Sequence, residues 1–482
     1  MPRPHNIPQR KFSKLVKSAP QHNQVTYLIA NGLALHQQGK FQEAQAIYEQ
    51  ILAIQANNFD ALHLLGALFA QTKQFTKAID FFSKALLINN NHPACYSNRG
   101  NALRELGRLN EALESYDQAI SIKADYAEAY FNYGNALSGL GRLDEALKRY
   151  DQAISIEVNY SSAHWNLALC HLLSGNFKDG WQGYEWRWKL VEVRNFSQPL
   201  WLGAESLKDK TILLYAEQGY GDTIQFCRYA KLVAELGAKV ILEVQHPLVN
   251  LLKDLDGVSQ IIAMGDPLPT FDYQCPLMSL PLAFNTLTEN IPTKIPYIKA
   301  ISVKEEYWKI KLKTTQKLKV GLVWNGGFRP NQPELWGVNE RRNIPLALIA
   351  KVNISSVDFY SLQKGEPSES ELAKSGDQYW QSYNFHNYVS KLEDFSDTAA
   401  LIANLDLIIS VDTSTAHLAA AMGKPVWLLN RFDTCWRWML DRDDSPWYPT
   451  VKLYRQEKMN DWDCVIEKIK SDLEKLVKIE QF

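Results

Sequence analysis

The sequence repeats every 34 residues from about Gln24 to Trp188, and this periodicity constrains the fold more than any other feature. Small and aromatic residues recur at four positions in each of five rows, with Lys73 in place of one glycine: Gly32, Gly66, Gly100, Gly134 and Ala168; Gly39, Lys73, Gly107, Gly141 and Gly175; Ala44, Ala78, Ala112, Ala146 and Gly180; Tyr48, Phe82, Tyr116, Tyr150 and Tyr184. Such a period is typical of two helices per repeat, in which small residues permit close packing and the aromatic residue fills the gap to the next repeat. The first half is therefore predicted to be an all-α array.

These rows resemble the tetratricopeptide repeat, whose period is also 34 residues. The resemblance implies a superhelix with a concave face that binds peptide segments. Asn98, Asn132 and Asn166 repeat at one helix position, so we predict that their amides form a ladder that binds the backbone of an extended protein or peptide. The alternative is that asparagine is common at this position in repeats of every function.

The fifth repeat differs from the others because it ends in the aromatic sequence GWQGYEWRWK, residues 180–189. A terminal repeat needs a polar outer face if it is to meet water. We therefore expect the fifth repeat to pack against the domain that follows it.

The second half alternates short apolar runs with helical patterns, which is typical of parallel sheets covered by helices. The predicted strands are residues 211–216, 239–244, 259–263, 271–275, 319–324, 357–362, 407–411 and 426–429. Prolines between residues 267 and 296, followed by a charged helix over 304–317, indicate a boundary between two Rossmann-like lobes. A last amphipathic helix over about 462–478 is long enough to cross back over both lobes. The predicted fold class is thus an all-α repeat superhelix followed by a two-lobed α/β region.

The segment Leu405–Leu429 reads as strand, turn, helix and strand. Its turn contains Asp412, Thr413 and Ser414, three residues that favour the start of a helix. A helix N-terminus carries unpaired N–H donors and partial positive charge, so this turn suits a phosphate. The alternative is an ordinary capped helix.

Two loops at predicted strand ends resemble motifs of the bacterial lipopolysaccharide heptosyltransferase family. Residues 217–224, EQGYGDTI, resemble its first-loop Gly-Asp motif, and residues 412–419, DTSTAHLA, resemble its nucleotide-sugar motif. Residues 361–365 and 394–401 resemble the segments that link these motifs. Repeats before a two-lobed transferase are also similar to the architecture of O-linked N-acetylglucosamine transferases. The resemblance implies a GT-B fold, a nucleotide-sugar donor, and inverting transfer without a metal ion or other cofactor.

The sequence departs from the heptosyltransferase pattern at two points. Ser414 replaces the glycine of the nucleotide-sugar motif, and no lysine follows the opening strand of the second lobe. Arg341, Arg342 or Lys364 could supply the missing positive charge. The identities of the sugar and of the nucleotide are therefore left open.

Asp222 is the predicted general base, because inverting transfer needs a carboxylate that takes the proton of the acceptor. Its alternative is a cap for the helix that follows. Glu217 is the second candidate, with a structural salt bridge as its alternative. The predicted donor-binding residues are Asp412, Thr413, Ser414, Thr415, His417, Gln363, Lys364, Arg342 and Asn325.

The composition of the chain argues against several classes of function. A formal net charge of -1 argues against a general nucleic-acid binder. No run approaches the ~18 apolar residues of a membrane span, and the basic N-terminus lacks the apolar segment of a secretory signal. The six cysteines form no CxxC pair, which indicates reduced thiols. We expect a cytoplasmic protein, and peripheral membrane association is left open.

We therefore predict a glycosyltransferase that transfers a sugar from a nucleotide-diphosphate sugar to a protein or glycan, with repeats that recruit the acceptor or a partner. The alternative is a repeat scaffold whose transferase region has lost activity. The predicted segments are a disordered basic arm (1–23), five repeats (24–192), an acceptor lobe (193–300) and a donor lobe with the crossing helix (301–482).

Overall fold

A computed structural model describes residues 21–312, 317–327, 336–380 and 384–480. Almost all of the predicted basic arm, residues 1–20, lies outside the described residues. By its internal contacts the chain divides into two units, Met1–Leu167 and Ala168–Phe482. This division falls inside the fifth repeat, whereas the segment boundaries drawn from the sequence stay predictions.

The repeats are pairs of helices, as predicted. The ten helices are α1 (Gln21–Gln37), α2 (Phe41–Ile54), α3 (Phe59–Gln71), α4 (Phe75–Ile88), α5 (Pro93–Glu105), α6 (Leu109–Ile122), α7 (Ala127–Gly139), α8 (Leu143–Ile156), α9 (Ser161–Leu173) and α10 (Phe177–Tyr184). The division between the two units lies within α9, so α10 belongs entirely to the second unit.

Small residues hold the two helices of a repeat together. A Cβ atom added at Gly66 would lie 2.6 Å from the ring of Phe82, and one added at Gly100 would lie 2.6 Å from the ring of Tyr116. Both rings are fully buried. The recurring glycine thus leaves the space that the recurring aromatic residue fills, which explains why the two recur together.

The second unit contains two sheets. Its strands and helices are β1 (Thr211–Tyr215), α11 (Tyr220–Phe226), α12 (Tyr229–Glu235), β2 (Lys239–Val244), α13 (Val249–Leu252), β3 (Val258–Ala263), β4 (Tyr273–Pro276), α14 (Leu280–Ala283), α15 (Ser302–Lys311), β5 (Leu318–Val323), α16 (Trp336–Arg342), α17 (Leu346–Ile349), β6 (Val357–Ser361), α18 (Ser368–Tyr379), β7 (Phe385–Asn387), α19 (Phe395–Ala403), β8 (Leu407–Val411), α20 (Ser414–Ala421), β9 (Val426–Asn430), β10 (Val451–Arg455) and α21 (Trp462–Glu480).

Both sheets are parallel, which confirms the predicted α/β class. The first has the strand order β3-β2-β1-β4, and the second has the order β10-β9-β8-β5-β6-β7. The first strand of each sheet lies at the point where the order reverses direction. In doubly wound folds, ligands bind beside the carboxyl ends of the strands at this point. The loops after β1, β5 and β8 therefore lie where such folds bind their ligands.

Three elements differ from the predicted strands and helices. The helix expected over 223–236 is two helices, α11 and α12, and strands β7 and β10 had not been predicted. The last helix, predicted to cross back over both lobes, buries Val465, Ile466, Ile469 and Leu473 in the core of the second sheet.

The aromatic end of the fifth repeat packs against other elements of the second unit, as expected. The ring of Trp181 in α10 lies 5.2 Å from that of Trp436, and the ring of Phe177 lies 5.9 Å from that of Trp447. Trp436 and Trp447 both lie between β9 and β10 of the second sheet. The helix α10 is thus part of the core of the second unit. Among the described residues, no helix has the length and apolar character needed to cross a membrane.

Candidate active site

The N-terminus of α20 lies at the carboxyl end of β8, where the second sheet reverses its strand order. Thr413 is its N-cap residue, but the hydroxyl of Thr413 hydrogen-bonds the Ser410 hydroxyl at 3.1 Å instead of capping the helix. The first N–H that bonds within the helix is that of His417, to the Thr413 carbonyl. The N–H groups of the first turn and the half-buried Ser414 thus form an arrangement that suits an anion. The Thr415 side chain is buried in the same turn.

Asp412 lies between His417 and a group of arginines. Burial alone would raise the pKa of its carboxyl, but the charges of His417, Arg342 and Arg431 hold that pKa well below its usual range. One carboxylate oxygen lies 3.7 Å from Nε2 of His417. Asp412 therefore stays ionised, and its lowered pKa makes it a weak base.

His417 is buried, although the sequence motif placed it among the donor contacts. Its Nδ1 lies 3.0 Å from the Tyr448 hydroxyl, and its ring stacks on Trp438 at 5.3 Å. These contacts fix the imidazole beneath the start of α20. Its predicted contact with a donor stays a prediction.

Three arginines converge near the same turn. Arg342 donates from Nη1 to the Asp412 carbonyl at 2.8 Å. Arg341 and Arg431 both contact Asp433, at 2.9 Å and 3.3 Å respectively. The group carries more positive than negative charge beside the helix N-terminus, so it could neutralise a diphosphate.

Gln363 and Asn325 support the loop after β5 from within. Oε1 of Gln363 accepts from the N–H groups of Trp324 and Asn325 at 3.1 and 2.8 Å. The Asn325 side chain donates to Ser368 and accepts from the Ile344 N–H. Lys364 is exposed, and its ammonium donates to the Leu392 carbonyl. The structure thus gives Gln363 and Asn325 intramolecular partners, and the donor contacts of all three residues stay predictions.

Asp222 lies in the first turn of α11, just after β1. Its Oδ2 accepts from the Gly219 N–H at 2.8 Å, so the carboxylate helps to cap the helix from its third position, whereas the N-cap residue is Gly219 and not Asp222. Its Oδ1 accepts from Nη2 of Arg437. About 23% of the side chain remains exposed, and each oxygen keeps a lone pair that could accept a substrate hydroxyl. Asp222 can therefore cap the helix and still reach a ligand.

Glu217 lies five residues before Asp222 in a different environment. Its side chain is 8% exposed and forms a salt bridge with Arg187 at 3.0 Å. Burial, reinforced by the charge of Glu185, raises the pKa of Glu217 to about 7 despite the opposing charge of Arg187. The structural salt bridge that we considered for Glu217 is therefore present.

The two candidate loops meet in space. A Cβ atom added at Gly221 would lie 2.9 Å from Cδ2 of His417 and 3.5 Å from Cα of Ser414. Glycine thus permits the start of α11 to approach the start of α20. The structure brings Asp222 together with the Asp412–Thr415 turn, although the two are almost two hundred residues apart in sequence.

Sequence analysis missed Arg437, Arg431, Asp433 and Tyr448. The tryptophans on both sides of Arg437, Trp436 and Trp438, are buried. An arginine between two tryptophans, in the sequence WRW, is the signal that could have indicated a buried cation.

The three asparagines of the predicted ladder lie on the first helices of their repeats. Asn132 is buried, Nδ2 of Asn98 lies 3.1 Å from Nε2 of His63, and Nδ2 of Asn166 donates to Asn135 at 2.7 Å. Two of the amides thus already have partners within the array, and peptide binding by the three stays a prediction. Across the described part of the chain, no three His, Cys, Asp or Glu side chains form a group that could hold a metal ion.

Comparison with known proteins identifies both regions. Family models described as "TPR repeat" match residues 100–141 and 134–175, and one described as "Tetratricopeptide repeat" matches residues 35–98. A model described as "Glycosyltransferase family 9 (heptosyltransferase)" matches residues 374–429, which include the Asp412–Thr415 turn. The match to the glycosyltransferase model covers only part of the two-lobed region.

One relative is Protein FlbA of Caulobacter vibrioides, which is 26% identical over 330 residues, or 63% of this chain and 53% of FlbA. The chain thus spans about half the length of that relative. Two similar solved structures are a crystal structure of MamA (22% identity, TM-score 0.31, covering 33% of this chain and 92% of MamA) and the TPR protein YrrB (20% identity, TM-score 0.32, covering 36% and 90%). Neither TM-score is high enough to support an inference.

By these matches the chain combines tetratricopeptide repeats with a region of which residues 374–429 match the model of glycosyltransferase family 9 (heptosyltransferase).

Proposed function

We propose that this protein transfers a sugar from a nucleotide-diphosphate sugar to a hydroxyl group of a protein or glycan, with inversion at the anomeric carbon and without a metal ion. The observation that carries the proposal is the meeting of Asp222 with the start of α20, which brings a partly exposed carboxylate beside an anion-binding turn. The family 9 match at that turn adds independent support.

The donor diphosphate would lie at the N-terminus of α20. The N–H groups of the first turn and the hydroxyls of Thr413 and Ser414 would donate to its oxygens. Arg342, with Arg341 and Arg431 nearby, would neutralise its charge, which is the role a metal ion takes in other transferases. Negative charge develops on the leaving diphosphate, so these groups stabilise the transition state more than the ground state.

Asp222 would act as the general base. The acceptor oxygen forms a bond to the anomeric carbon while the bond from that carbon to the diphosphate breaks, and its electron pair leaves with the nucleoside diphosphate. The proton of the acceptor hydroxyl passes to Asp222. Attack from the face opposite the leaving group inverts the configuration of the anomeric carbon.

The donor site can be tested by thermal unfolding of the full chain with ADP, GDP, UDP, CDP and dTDP. A nucleotide that binds only the folded protein raises the midpoint, and at a concentration of 100 Kd it adds about 2.7 kcal/mol. We expect one of them to do so, and the shift to disappear when Thr413 and Ser414 are both changed to alanine. The absence of any shift in the native protein would favour the alternative of a repeat scaffold without activity.

The catalytic assignment can be tested with Asp222→Asn. This change keeps an oxygen for the Gly219 N–H but removes the base, so we expect release of nucleoside diphosphate to fall by about 10²–10⁴-fold. Asp272→Asn is the control, because Asp272 also accepts a backbone N–H, from Thr211 at 2.8 Å, but at the amino end of β1. Full activity in Asp222→Asn would contradict the assignment, and loss of activity in EDTA would contradict metal-independent transfer.

We further propose that the repeat array holds an extended segment of the acceptor protein through Asn98, Asn132 and Asn166. The support is their recurrence at one helix position in consecutive repeats. Changing all three to alanine should raise KM for a protein acceptor while leaving hydrolysis of the donor by water unchanged. An unchanged KM would contradict the ladder.

A further inference from the structure

Arg437 belongs to the donor lobe but reaches the candidate base of the acceptor lobe. It lies in the short helical turn Trp436–Trp438 and is 8% exposed. Its Nη2 donates to Asp222, its Nε donates to Oε1 of Gln225 at 2.7 Å, and its Nη1 lies 3.3 Å from Sγ of Cys435. All three nitrogens of the guanidinium therefore have a partner.

An aromatic layer holds the guanidinium in this orientation. Its carbon lies 4.2 Å from the centre of the Trp436 ring and 5.9 Å from that of Phe226. Trp436 packs in turn against Trp181 of α10. The Arg437 side chain thus has little freedom to adopt another rotamer, and its geometry is imposed on whatever it contacts.

Asp222 receives one bond on each carboxylate oxygen, from two different lobes. The Gly219 N–H binds Oδ2 from within the acceptor lobe, whereas Arg437 binds Oδ1 from the donor lobe. A carboxylate held at both oxygens cannot rotate about its last bond. Orientation of a base contributes much of its effect on the reaction rate. If a reacting group is misplaced by about 1 Å, the rate can fall by about 10²-fold.

We propose that Arg437 is a positioning residue, which orients the Asp222 carboxylate for proton transfer only while the two lobes are docked. The inference rests on the proposed transfer reaction. It adds that the base is completed by the donor lobe, so the lobe that binds the nucleotide sugar also determines whether the base is aligned. In this proposal Arg437 acts through Asp222, its partner in the structure, and not by direct contact with the donor or the acceptor.

Arg228 offers a matched control in the same interface. It extends in the opposite direction, from the acceptor lobe, and is also buried. It donates to the carbonyls of Trp447 and Pro292 at 2.8 and 3.0 Å and to the Tyr297 hydroxyl at 2.9 Å. Both arginines therefore hold the lobes together, but the hydrogen-bond partners of Arg228 are carbonyls and a tyrosine.

The experiment compares Arg437→Lys with Arg228→Lys in the full chain. Its readout is the release of nucleoside diphosphate, with water as acceptor, from a panel of UDP-, GDP-, ADP- and dTDP-linked sugars. Lysine keeps the charge but cannot make the divergent bonds of a guanidinium. We expect both variants to melt at lower temperature, kcat to fall about tenfold or more only in Arg437→Lys, and KM for the donor to stay within about threefold. Equal kcat values in the two variants, measured well below both melting temperatures, would overturn the proposal.

A double substitution tests whether Arg437 acts through Asp222. If it does, Asp222→Asn combined with Arg437→Lys is no slower than Asp222→Asn alone. If the loss of kcat in the double variant instead equals the product of the losses in the two single variants, the proposal is overturned. Should Arg437→Lys fail to fold, Gln225→Met removes only the partner of Nε, and we expect it to lower kcat about threefold without a change in KM. A native protein that releases no nucleoside diphosphate from any sugar of the panel would instead refute the proposed function.

Discussion

Two carboxylates that follow β1, Glu217 and Asp222, differ in what surrounds them. Glu217 is enclosed with Arg187 and Glu185, and Ser279 donates to Glu185 at 2.8 Å. Burial raises the pKa of Glu217 to about 7, with Glu185 reinforcing the effect. Asp222 keeps a solvent-exposed face and contacts the other lobe. Only the second environment suits a group that must meet a substrate.

Glu217 makes the stability of the protein depend on pH. Its pKa is higher in the folded state than its ordinary value of 4.5. The contribution of its neutral form is therefore complete below about pH 4.5 and is lost as pH rises through about 7. Between pH 5 and 8 we expect the native protein to lose on the order of 1–3 kcal/mol more stability than Glu217→Gln. Urea unfolding at both pH values measures this difference, with Glu205→Gln, an exposed glutamate, as the control. Parallel pH profiles of native protein and Glu217→Gln would contradict the assigned environment.

At the scale of single residues, the sequence indicated Asp222, Asp412 and Thr413 because each follows an apolar strand in a loop of turn-forming residues. It did not indicate Arg437, which lies 215 positions from Asp222. Such a pair exists only after two lobes have docked, and local periodicity carries no information about docking. Arg187 and Glu217 were missed as a pair because their contact likewise depends on how segments 30 residues apart pack together.

The helix pairs of the repeats depend on the absence of a side chain at four glycines. A Cβ atom at Gly100 would lie 2.6 Å from the Tyr116 ring, which is fully buried and cannot move away freely. We expect Gly100→Ala to destabilise the protein by about 1–3 kcal/mol through overpacking. Denaturant unfolding followed by circular dichroism measures the change.

Gly139 provides the control for that substitution. It is the last residue of a first helix, α7, and an added Cβ atom would meet only Leu109, at 3.4 Å. Gly139→Ala should therefore be neutral or stabilise by about 0.5–1 kcal/mol, because alanine favours a helix. Equal losses in both variants would show that helix propensity, and not the Tyr116 ring, determines the result.

At the scale of elements, strongly periodic segments were predicted well and irregular ones were not. The eight predicted strands all exist, but β7 has only three residues, too few for a detectable alternation. The helix expected over 223–236 breaks at Cys227 and Arg228. There, Nε of Arg228 donates to the Gln225 carbonyl at 2.7 Å, and its Nη1 donates across the lobes to the Trp447 carbonyl at 2.8 Å. A tertiary contact has therefore overridden a helical pattern.

At the scale of the molecule, the last helix of the repeat pattern, α10, is part of the core of the second unit. Phe177, Trp181 and Tyr184 of α10 are buried. Arg187, which follows α10 in sequence, forms a salt bridge with Glu217. A protein that lacks residues 1–160 keeps these groups, so we expect it to unfold cooperatively. One that lacks residues 1–192 exposes Trp436 and leaves Glu217 without its cation, so we expect it to aggregate or to unfold without a sharp transition.

Trp181→Ala in the full chain gives the same comparison without a truncation. Removing a buried tryptophan costs about 3–5 kcal/mol, and here it opens the layer around Trp436. Calorimetry of the two truncated proteins and of Trp181→Ala distinguishes the boundary within α9 from the predicted boundary at residue 192. A stable protein without residues 1–192 would support the boundary that we predicted from the sequence, and contradict the structural role of α10.

The position of the division between Leu167 and Ala168 bears on how such chains can diverge. Insertion or deletion of a whole 34-residue period before that point leaves Trp181, Trp436 and Trp447 with the same neighbours. The number of repeats can therefore change during evolution without any compensating substitution around these three tryptophans. Recombination within α10 would instead separate side chains that have co-adapted, and selection should remove it.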